Sequence, residues 1–344
     1  MQGKMGEVKR KTLYFTAPQQ VELREEILPE LGADEVLVET VCSAISAGTE
    51  MLVYQGRFPK DIETDAVISS LRGSLEYPLA YGYACVGKIK ETGPQVDKSM
   101  RDQLVFAFQP HTSHFIANPD SLFPIPDSLS PEKACFLPNM ETAVNLVQDG
   151  APIFGESVLV LGQGVVGLLT ASLLSEFPLE TLVTADCFEL RRNSSPVPQH
   201  LSLDPYSPNF HNEAKKLLKG SADLTFELSG KPETLNDALA ITGYSGRIVI
   251  GSWYGEKRAE IGLGGAFHRS RIKLISSQVS TVSPELSGRW NKARRFNAAW
   301  KALERIKPEK WITHRIPMDQ AEEAYRRLDE NPQETIQVVF DYKS

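Results

Sequence analysis

The sequence predicts an α/β protein in which a doubly wound parallel sheet is joined to a separate, β-rich domain. Strand and helix patterns alternate from residue 156 to residue 252, as in a parallel sheet with helices on both faces. Residues 12–42 instead show short runs of alternating apolar and polar residues, which are typical of antiparallel strands. The chain ends on another strand-like run, so we expect its C-terminus to complete the first domain.

The β-rich domain begins with segments that alternate in the manner of half-buried strands. They read LYFTAP, QVELREEIL, EVLVETVCSAI, CVGKIKETG and DQLVFAFQPH. A helix is predicted next, because Ser130 is a suitable N-cap residue and Pro131 suits the first helical position. The helical pattern continues to about Val147, and Gly150 and Pro152 then mark its end.

The central βαβ unit carries glycines at the spacing G-x-G-x-x-G between its first strand and its helix. Gly162 would allow a tight turn, Gly164 would let a pyrophosphate approach the backbone, and Gly167 would let the helix pack on the strand. The helix starts near Val165 and Val166, where free N–H groups can bind phosphate. This order of elements predicts a dinucleotide-binding site; the alternative is a glycine turn in a similar fold that has lost its cofactor.

Asp186 ends the second strand of this unit and bears on which dinucleotide is bound. A carboxylate there can accept hydrogen bonds from an adenosine ribose and repels a 2′-phosphate. Arg191 and Arg192 follow closely, and they would either lie along the ribose, meet a phosphate or belong to a solvated helix start. We therefore predict NAD as the cofactor, with NADP as the less favoured alternative.

The remaining elements extend the sheet and then return to the first domain. ADLTFELSG, GRIVIGSWYG and RIKLISSQ predict strands, and PETLNDALAITG predicts a helix between the first two. A helix from Ser287 carries Trp290, Phe296 and Trp300 mostly on one face, and PMDQAEEAYRRLDE and TIQVVFDY predict a last helix and strand. The predicted domains are 1–142 (β-rich, catalytic), 143–278 (dinucleotide-binding) and 279–344 (a return segment that completes the first).

Composition and charge exclude several classes of function. The 37 basic and 44 acidic residues are interspersed, with a net charge of −7, and no basic stripe suggests nucleic-acid binding. No apolar run approaches a membrane span, and the N-terminus lacks the apolar region of a signal peptide. Scattered cysteines without a C-x-x-C pair predict free thiols in a reducing cytoplasm: Cys42, Cys85, Cys135 and Cys187. We expect a cytoplasmic protein whose partner is a small-molecule substrate.

The sequence resembles the medium-chain dehydrogenase/reductase superfamily over nearly its whole length. The resemblance is carried by GADEVLVETVCSAISAGTE, YPLAYGYACVGKI, LPNMETA, VLVLGQGVVG and ADLTFELSG. SAISAGTEMLVYQGRFP and YPLAYGY are most similar to the branch that contains the bacteriochlorophyllide dehydrogenases. The resemblance implies a GroES-like catalytic domain beside a Rossmann domain, and a homodimer in which RIKLISSQ pairs with the same strand of its partner.

The chain departs from the zinc alcohol dehydrogenases of this superfamily where they bind metal. The three zinc-ligand positions are filled by Ser46 or Ala47, by Tyr83, and by Pro138 or Asn139. These residues cannot hold zinc with nitrogen and sulfur donors, and the four-cysteine structural zinc lobe is also missing. We predict no zinc. A metal pair formed by His111 and His114 is disfavoured, because no cysteine or acid is close to them in the sequence.

Without zinc, an alcohol or carbonyl oxygen needs a donor or acid–base group from a side chain. Tyr83 is the first candidate, although its ordinary pKa of about 10 would have to be lowered; otherwise it fills the space of the lost metal site. Glu50 is the second, as a general base, as an orienting partner for a hydroxyl, or as a charge packed against basic residues. Ser46, Thr49 and Tyr54 are possible hydrogen-bonding partners of a substrate.

The resemblance also implies residues around the nicotinamide. Thr142 matches a position that touches the nicotinamide in relatives. The strand ends that hold the ribose and carboxamide match Gly251, Ser252, Ser277 and Gln278. An insertion at residues 57–76 would form either a lid that excludes water or a passive surface loop.

Together these features predict a zinc-independent, NAD(H)-dependent oxidoreductase that interconverts a secondary alcohol and a ketone on a small or medium organic molecule. Zinc-free relatives suggest a second reaction, the NAD(P)H-dependent reduction of a carbon–carbon double bond in an enone or quinone. A third alternative is a nucleotide-binding regulatory protein that has lost catalysis.

Overall fold

The computed structural model describes residues 8–59 and 76–342, which form two compact units. The first unit holds the described residues up to Pro138 and those from Ile312 onward, and the second holds Asn139–Trp311. The chain therefore returns to its first unit at residue 312, whereas the sequence predicts a return at 279. The difference arises because Arg295 binds the intervening helix into the second unit, with its Nε 3.0 Å from the Glu141 carboxylate.

The strands of the described residues are numbered in chain order. They are β1 (Lys9–Ala17), β2 (Gln20–Ile27), β3 (Val36–Ala44), β4 (Leu79–Ala80), β5 (Cys85–Thr92), β6 (Leu104–Ala107), β7 (His114–Ala117), β8 (Phe123–Pro124), β9 (Ser157–Leu161), β10 (Thr181–Ala185), β11 (Ser202–Leu203), β12 (Ala222–Glu227), β13 (Thr242–Ile250), β14 (Lys273–Ser276), β15 (Ile312–Pro317) and β16 (Gln337–Asp341).

The α-helices of the described residues are numbered in the same way. They are α1 (Ala47–Tyr54), α2 (Pro131–Ala134), α3 (Leu137–Gly150), α4 (Val165–Leu174), α5 (Glu189–Asn193), α6 (Phe210–Leu217), α7 (Thr234–Ile241), α8 (Lys292–Arg305) and α9 (Ala321–Glu330). None of them is long and apolar enough to cross a membrane.

Two sheets form the first unit. The larger has the order β15-β16-β3-β5-β6-β8, with β7 also paired to β3, and the smaller has the order β2-β1-β4. The C-terminal strand β16 pairs antiparallel with β3, so Val339 lies opposite Ala44. The expected β-rich domain completed by the end of the chain is therefore present. Most of the predicted insertion lies outside the described residues, from 60 to 75.

The second unit is a doubly wound parallel sheet, as predicted. Its order is β11-β10-β9-β12-β13-β14, and every pairing is parallel. All five residues of the central strand β9 are buried, which explains its continuous apolar run. The chain order reverses between β9 and β12, and the carboxyl edge at this switch point is where such sheets bind ligands.

Local sequence signals set several helix starts. The Ser130 side chain accepts from the Lys133 N–H at 3.3 Å and caps α2, as predicted. Helix α8 begins at Lys292, later than predicted, because the Asn291 side chain caps it by accepting from the Arg294 N–H at 2.8 Å.

Candidate functional site

The glycine loop, residues 162–167, joins the end of β9 to α4 in the second unit. Gly162 has a φ of +96°, and a Cβ built there would lie 2.5 Å from the Leu228 carbonyl group. A Cβ at Gly167 would lie 1.9 Å from the Gly162 carbonyl oxygen, so only glycine allows this contact of helix and strand. A Cβ at Gly164 would meet nothing within 4 Å. The loop thus combines two crowded glycines with one open position, as a pyrophosphate site requires.

Helix α4 presents its N-terminus to this open position. Gly164 is its N-cap residue, and no side chain caps the first turn. Val165 and Val166 form the start of that turn and are half-buried. The unpaired first-turn N–H groups and the positive end of the helix dipole suit a phosphate group.

Asp186 ties the glycine loop to the end of β10. The residue is buried; its Oδ2 accepts from the Gln163 N–H at 2.7 Å and its Oδ1 accepts from the Phe188 N–H at 2.8 Å. A carboxylate has about four acceptor positions, so both oxygens can still accept from a ribose hydroxyl. Asp186, the residue predicted to bind the ribose, thus also shapes the glycine loop. The sequence did not indicate this second role.

The two arginines behind Asp186 have different surroundings. Arg192 donates to the Asp186 carbonyl oxygen at 2.8 Å and lies 3.5 Å from an Asp204 carboxylate oxygen. Arg191 lies over the Phe188 ring, 4.8 Å from its centroid. Arg192 is therefore engaged with acceptors of the protein itself.

Four of the residues matched to nicotinamide contacts, Gly251, Ser252, Ser277 and Gln278, follow the carboxyl ends of β13 and β14. The Ser277 N–H donates to the Ile250 carbonyl at 3.0 Å, which places it beside Gly251. The Ser252 hydroxyl accepts from the Gly230 N–H at 2.9 Å. Thr142 is half-buried on α3. Gln278 is exposed, and its side chain contacts Ser280 at 2.9 Å.

The Ser277 hydroxyl is already engaged with side chains of α3. It donates to the Asp149 carboxylate at 2.6 Å and accepts from the Asn145 side-chain amide at 2.9 Å. Burial, as the largest cause, raises the pKa of Asp149 above its ordinary value. Ser277 therefore fixes the segment that follows β14 to α3.

A buried arginine that the sequence analysis missed holds the same segment. Arg295 has no exposed surface; its guanidinium donates to Glu141, to the Asn145 side chain and to the carbonyl oxygens of Val279 and Thr281. Lys292 adds a second cation to Glu141, 2.5 Å from its carboxylate oxygen. These contacts tie α8, α3 and residues 277–281 together within the second unit.

The first unit brings three predicted hydroxyl groups into one group, which we call the hydroxyl cluster: Ser46, Thr49 and Tyr83. The Ser46 and Tyr83 hydroxyls share a short hydrogen bond, and the Tyr83 hydroxyl donates to Thr49 Oγ1 at 3.2 Å. Ser46 is the N-cap residue of α1, yet its hydroxyl does not cap that helix. The resemblance to the zinc enzymes puts Tyr83 at one metal-ligand position and either Ser46 or Ala47 at another.

Glu50 lies beneath this cluster with no exposed surface. Its Oε1 accepts from the Ser46 N–H at 2.7 Å, and its Oε2 accepts from the Tyr325 hydroxyl at 2.5 Å. The same Oε2 lies 3.0 Å from His111 Nε2. Burial and the nearby Glu50 charge raise the pKa of Tyr325, which keeps its hydroxyl a donor. The geometry favours an orienting role for Glu50 over contact with a substrate.

The two histidines weighed as a metal pair have separate partners. His111 is fully buried between Glu50 and Ser43, whose Oγ lies 2.7 Å from Nδ1. His114 begins β7, and its Nδ1 lies 3.1 Å from the Ser113 hydroxyl. No group of three or more His, Cys, Asp or Glu side chains that could hold a metal occurs within residues 8–59 and 76–342.

Known proteins similar to this chain are dehydrogenases. No model of a protein family matches the sequence. An L-threonine 3-dehydrogenase from Pyrococcus furiosus is 24% identical over 261 residues, 67% of this chain and 71% of that protein. An alcohol dehydrogenase from Escherichia coli CFT073, solved with NADH, is 17% identical at a TM-score of 0.77 over 97% of this chain and 99% of that one. A 2R,3R-butanediol dehydrogenase from Bacillus subtilis is also 17% identical at a TM-score of 0.77, over 97% and 100% of the two chains. The structural similarity confirms the predicted fold.

Proposed function

We propose that this chain, as a member of the medium-chain dehydrogenase/reductase superfamily of NAD(P)-dependent oxidoreductases, interconverts a secondary alcohol and a ketone without catalytic zinc. The observation that carries the proposal is the hydroxyl cluster. The resemblance puts Tyr83 at one zinc-ligand position and Ser46 or Ala47 at another; Ser46 and Tyr83 are hydrogen-bonded to each other, and none of the three offers the nitrogen or thiolate donor that such zinc sites use. The three relatives named above act on alcohols by their names, which supports this substrate class for the present chain.

The second unit fits a nicotinamide dinucleotide, and we propose NAD as the cofactor. The glycine loop and the N-terminus of α4 would hold the pyrophosphate, and Asp186 would accept from the adenosine ribose. When bound, the cofactor supplies or accepts the hydride. The engagement of Arg192 with Asp204 and with a backbone carbonyl supports NAD over NADP, because it leaves fewer cations for a 2′-phosphate.

Tyr83 is the proposed proton donor and acceptor. In the direction of ketone reduction its hydroxyl donates to the carbonyl oxygen, which becomes the alcohol hydroxyl. Ser46 and Thr49 hold the phenol oxygen, and either hydroxyl can relay a proton from solvent water to it, taking one up as it gives one away. General acid–base help of this kind is worth about 10²–10⁴ in rate.

We also propose that the enzyme is a cytoplasmic homodimer. Strand β14 is an edge strand of the parallel sheet, and Leu274 in its middle is 37% exposed. Pairing of this strand with the same strand of a second copy would cover both edges. All four cysteines lie in the described ranges and are free thiols, which suits a reducing compartment.

A substrate screen with product identification tests the reaction. The purified protein is incubated with NADH or NADPH and a panel of ketones, enones and quinones, and with NAD and secondary alcohols. Formation of an alcohol supports the proposal, and reduction of a carbon–carbon double bond supports the enone alternative. Tight NADH binding without turnover of any compound supports the regulatory alternative. Elemental analysis near one zinc ion per chain would contradict zinc independence.

The variant Tyr83→Phe tests the proton donor. We expect kcat to fall by about 10²–10⁴, because the phenol hydroxyl is lost, with an unchanged dissociation constant for NADH. Tyr14→Phe is the matched control. It removes a phenol hydroxyl of the same unit that donates to Glu26 at 2.7 Å rather than to the hydroxyl cluster. Equal rates in wild type and Tyr83→Phe would remove Tyr83 from the mechanism but leave the oxidoreductase assignment intact.

A further inference from the structure

His111 is a buried titratable residue that the proposed mechanism does not use. Its side chain has no exposed surface, so it does not touch a substrate. Both ring nitrogens nevertheless have polar partners, Ser43 on one side and Glu50 on the other. A fully buried histidine with two partners requires an explanation, because burying polar groups costs free energy unless they are paired.

The ring of His111 contacts the two segments that carry the hydroxyl cluster. On one side it meets Glu50, which accepts from the Ser46 N–H. The same edge of the ring packs against Gly82, the residue before Tyr83. A Cβ at Gly82 would lie 2.8 Å from His111 Nε2, and Gly82 has a φ of +118°. Glycine at this position therefore leaves room for the imidazole.

The hydrogen bonds around His111 are all satisfied when its ring carries a proton on Nε2. Tyr342 lies 2.8 Å from Ser43 Oγ and can donate to it, and Ser43 can donate to Nδ1. The Nε2–H then donates to the Glu50 carboxylate, which also accepts from Tyr325 and Ser46. Every donor in this network then has an acceptor. Glu50 accepts three hydrogen bonds, and at this buried site water cannot replace all three donors.

We propose that His111 is a positioning residue for the hydroxyl cluster, acting on Ser46 through Glu50. The proposal rests on the proposed function, since it concerns the geometry of the proton donor. The Nε2–H holds the carboxylate in the orientation that fixes the Ser46 backbone, and the Ser46 hydroxyl in turn holds the Tyr83 hydroxyl. Loss of the Nε2 contact alone should therefore disturb the cluster.

Two substitutions separate the two sides of the ring. His111→Gln places an amide N–H near the position of Nε2 and retains the contact with Glu50. His111→Asn places its amide near Nδ1, retains the contact with Ser43 and loses the contact with Glu50. His114→Gln is the control, because it changes the neighbouring, half-buried histidine that binds Ser113. The measurements are kcat, KM, the pH profile of kcat/KM, and the dissociation constant for NADH.

We expect His111→Asn to lower kcat by up to about 100-fold, as small misplacements of catalytic groups do. The apparent pKa in its pH profile should shift, because the surroundings of Tyr83 change. His111→Gln should restore both quantities to within about threefold of wild type. The affinity for NADH should be the same in all variants, because its proposed site lies in the second unit. Equal losses in His111→Asn and His111→Gln would overturn the proposal.

A spectroscopic measurement keeps the test independent of turnover. Tyrosines labelled with ¹³C at Cζ are observed by NMR, and the Tyr83 resonance is the one of ten that disappears in Tyr83→Phe. His111→Asn should shift this resonance and His111→Gln should return it; an unmoved resonance in His111→Asn overturns the proposal. If His111→Asn does not fold, Glu50→Gln takes its place and must shift the resonance. Absence of turnover in the wild type would refute the proposed function, while the resonance would still decide the role of His111.

Discussion

The glycine loop and the hydroxyl cluster show two ways of fixing a functional group in place. The loop occupies residues 162–167, and its shape depends on backbone contacts that any Cβ would disturb. The cluster joins the start of α1 to Tyr83, and side-chain hydrogen bonds hold it together. Its support comes from still more distant positions, His111 and Tyr325. The glycine loop thus depends on a short stretch of sequence, whereas the hydroxyl cluster depends on residues from the whole first unit.

The glycine loop and the hydroxyl cluster should also respond differently to mutation. A steric clash between backbone atoms cannot relax without moving a helix or a strand. A lost hydrogen bond can be replaced in part by a rotated side chain or by water, so its cost is smaller. Variants of the second unit test this difference, because that unit contains both kinds of contact.

The largest effect is expected from Gly167→Ala. Its Cβ would lie 1.9 Å from the Gly162 carbonyl oxygen, so α4 must move away from β9. We expect the free energy of unfolding to fall by more than about 4 kcal/mol, as for other severe strain. Denaturant unfolding followed by circular dichroism measures this change, and NADH titration measures the loss of binding.

Gly164→Ala is the matched control within the same loop. Its Cβ meets nothing within 4 Å, and its φ of −66° suits alanine. The free energy of unfolding should therefore change by at most about 1 kcal/mol. NADH binding should nevertheless weaken about tenfold or more, or roughly 1.4 kcal/mol, because the new methyl group occupies the approach of the pyrophosphate. If Gly164→Ala were as unstable as Gly167→Ala, the division of the glycines into packing and binding roles would be wrong.

The difference between the glycine loop and the hydroxyl cluster explains what the sequence could predict. The glycine loop, the doubly wound sheet and the β-rich first unit follow from local patterns, and all three are present. The members of the hydroxyl cluster were candidates individually, on the basis of residue type and family resemblance. Their contacts with His111 and Tyr325 were not predicted, because no local pattern links residues so far apart in the chain. A lone histidine or tyrosine carries no sequence signal of its partner.

Arg295 was missed for a related reason. Helix α8 is amphipathic, and an arginine next to Phe296 gives no sign of being buried. Its burial depends on Glu141 and on two carbonyl oxygens from residues 279 and 281, none of which lies in the same helix. The same dependence on distant partners explains why the observed boundary between the units differs from the predicted one. Helix α8 belongs to the unit that contains Glu141.

Arg295→Met is expected to have the next largest effect. It leaves Glu141 buried with Lys292 as its remaining cation, so the free energy of unfolding should fall by about 3 kcal/mol, the lower end for a broken buried pair. Arg305→Met on the same helix is the control. Arg305 pairs with Glu176 at the surface, and its side chain is 54% exposed, so its loss should cost no more than about 1 kcal/mol. Similar costs for the two variants would show that side-chain contacts do not secure residues 277–281.

The smallest effect is expected at Asp186. Substitutions there separate its role in the shape of the glycine loop from its role in recognising the cofactor. Its carboxylate holds the Gln163 and Phe188 N–H groups, and its charge disfavours a 2′-phosphate. Asp186→Asn keeps one acceptor oxygen and loses the charge, whereas Asp186→Ser loses both. Both variants should relax the discrimination between NADH and NADPH, with about tenfold weaker NADH binding, or roughly 1.4 kcal/mol. Asp186→Ser should also destabilise the loop more than Asp186→Asn, which keeps an acceptor for one of the two N–H groups, and thermal unfolding would detect the difference. Fluorescence titration gives both dissociation constants, and a wild type that prefers NADPH would mean that Arg191 and Arg192 outweigh this carboxylate.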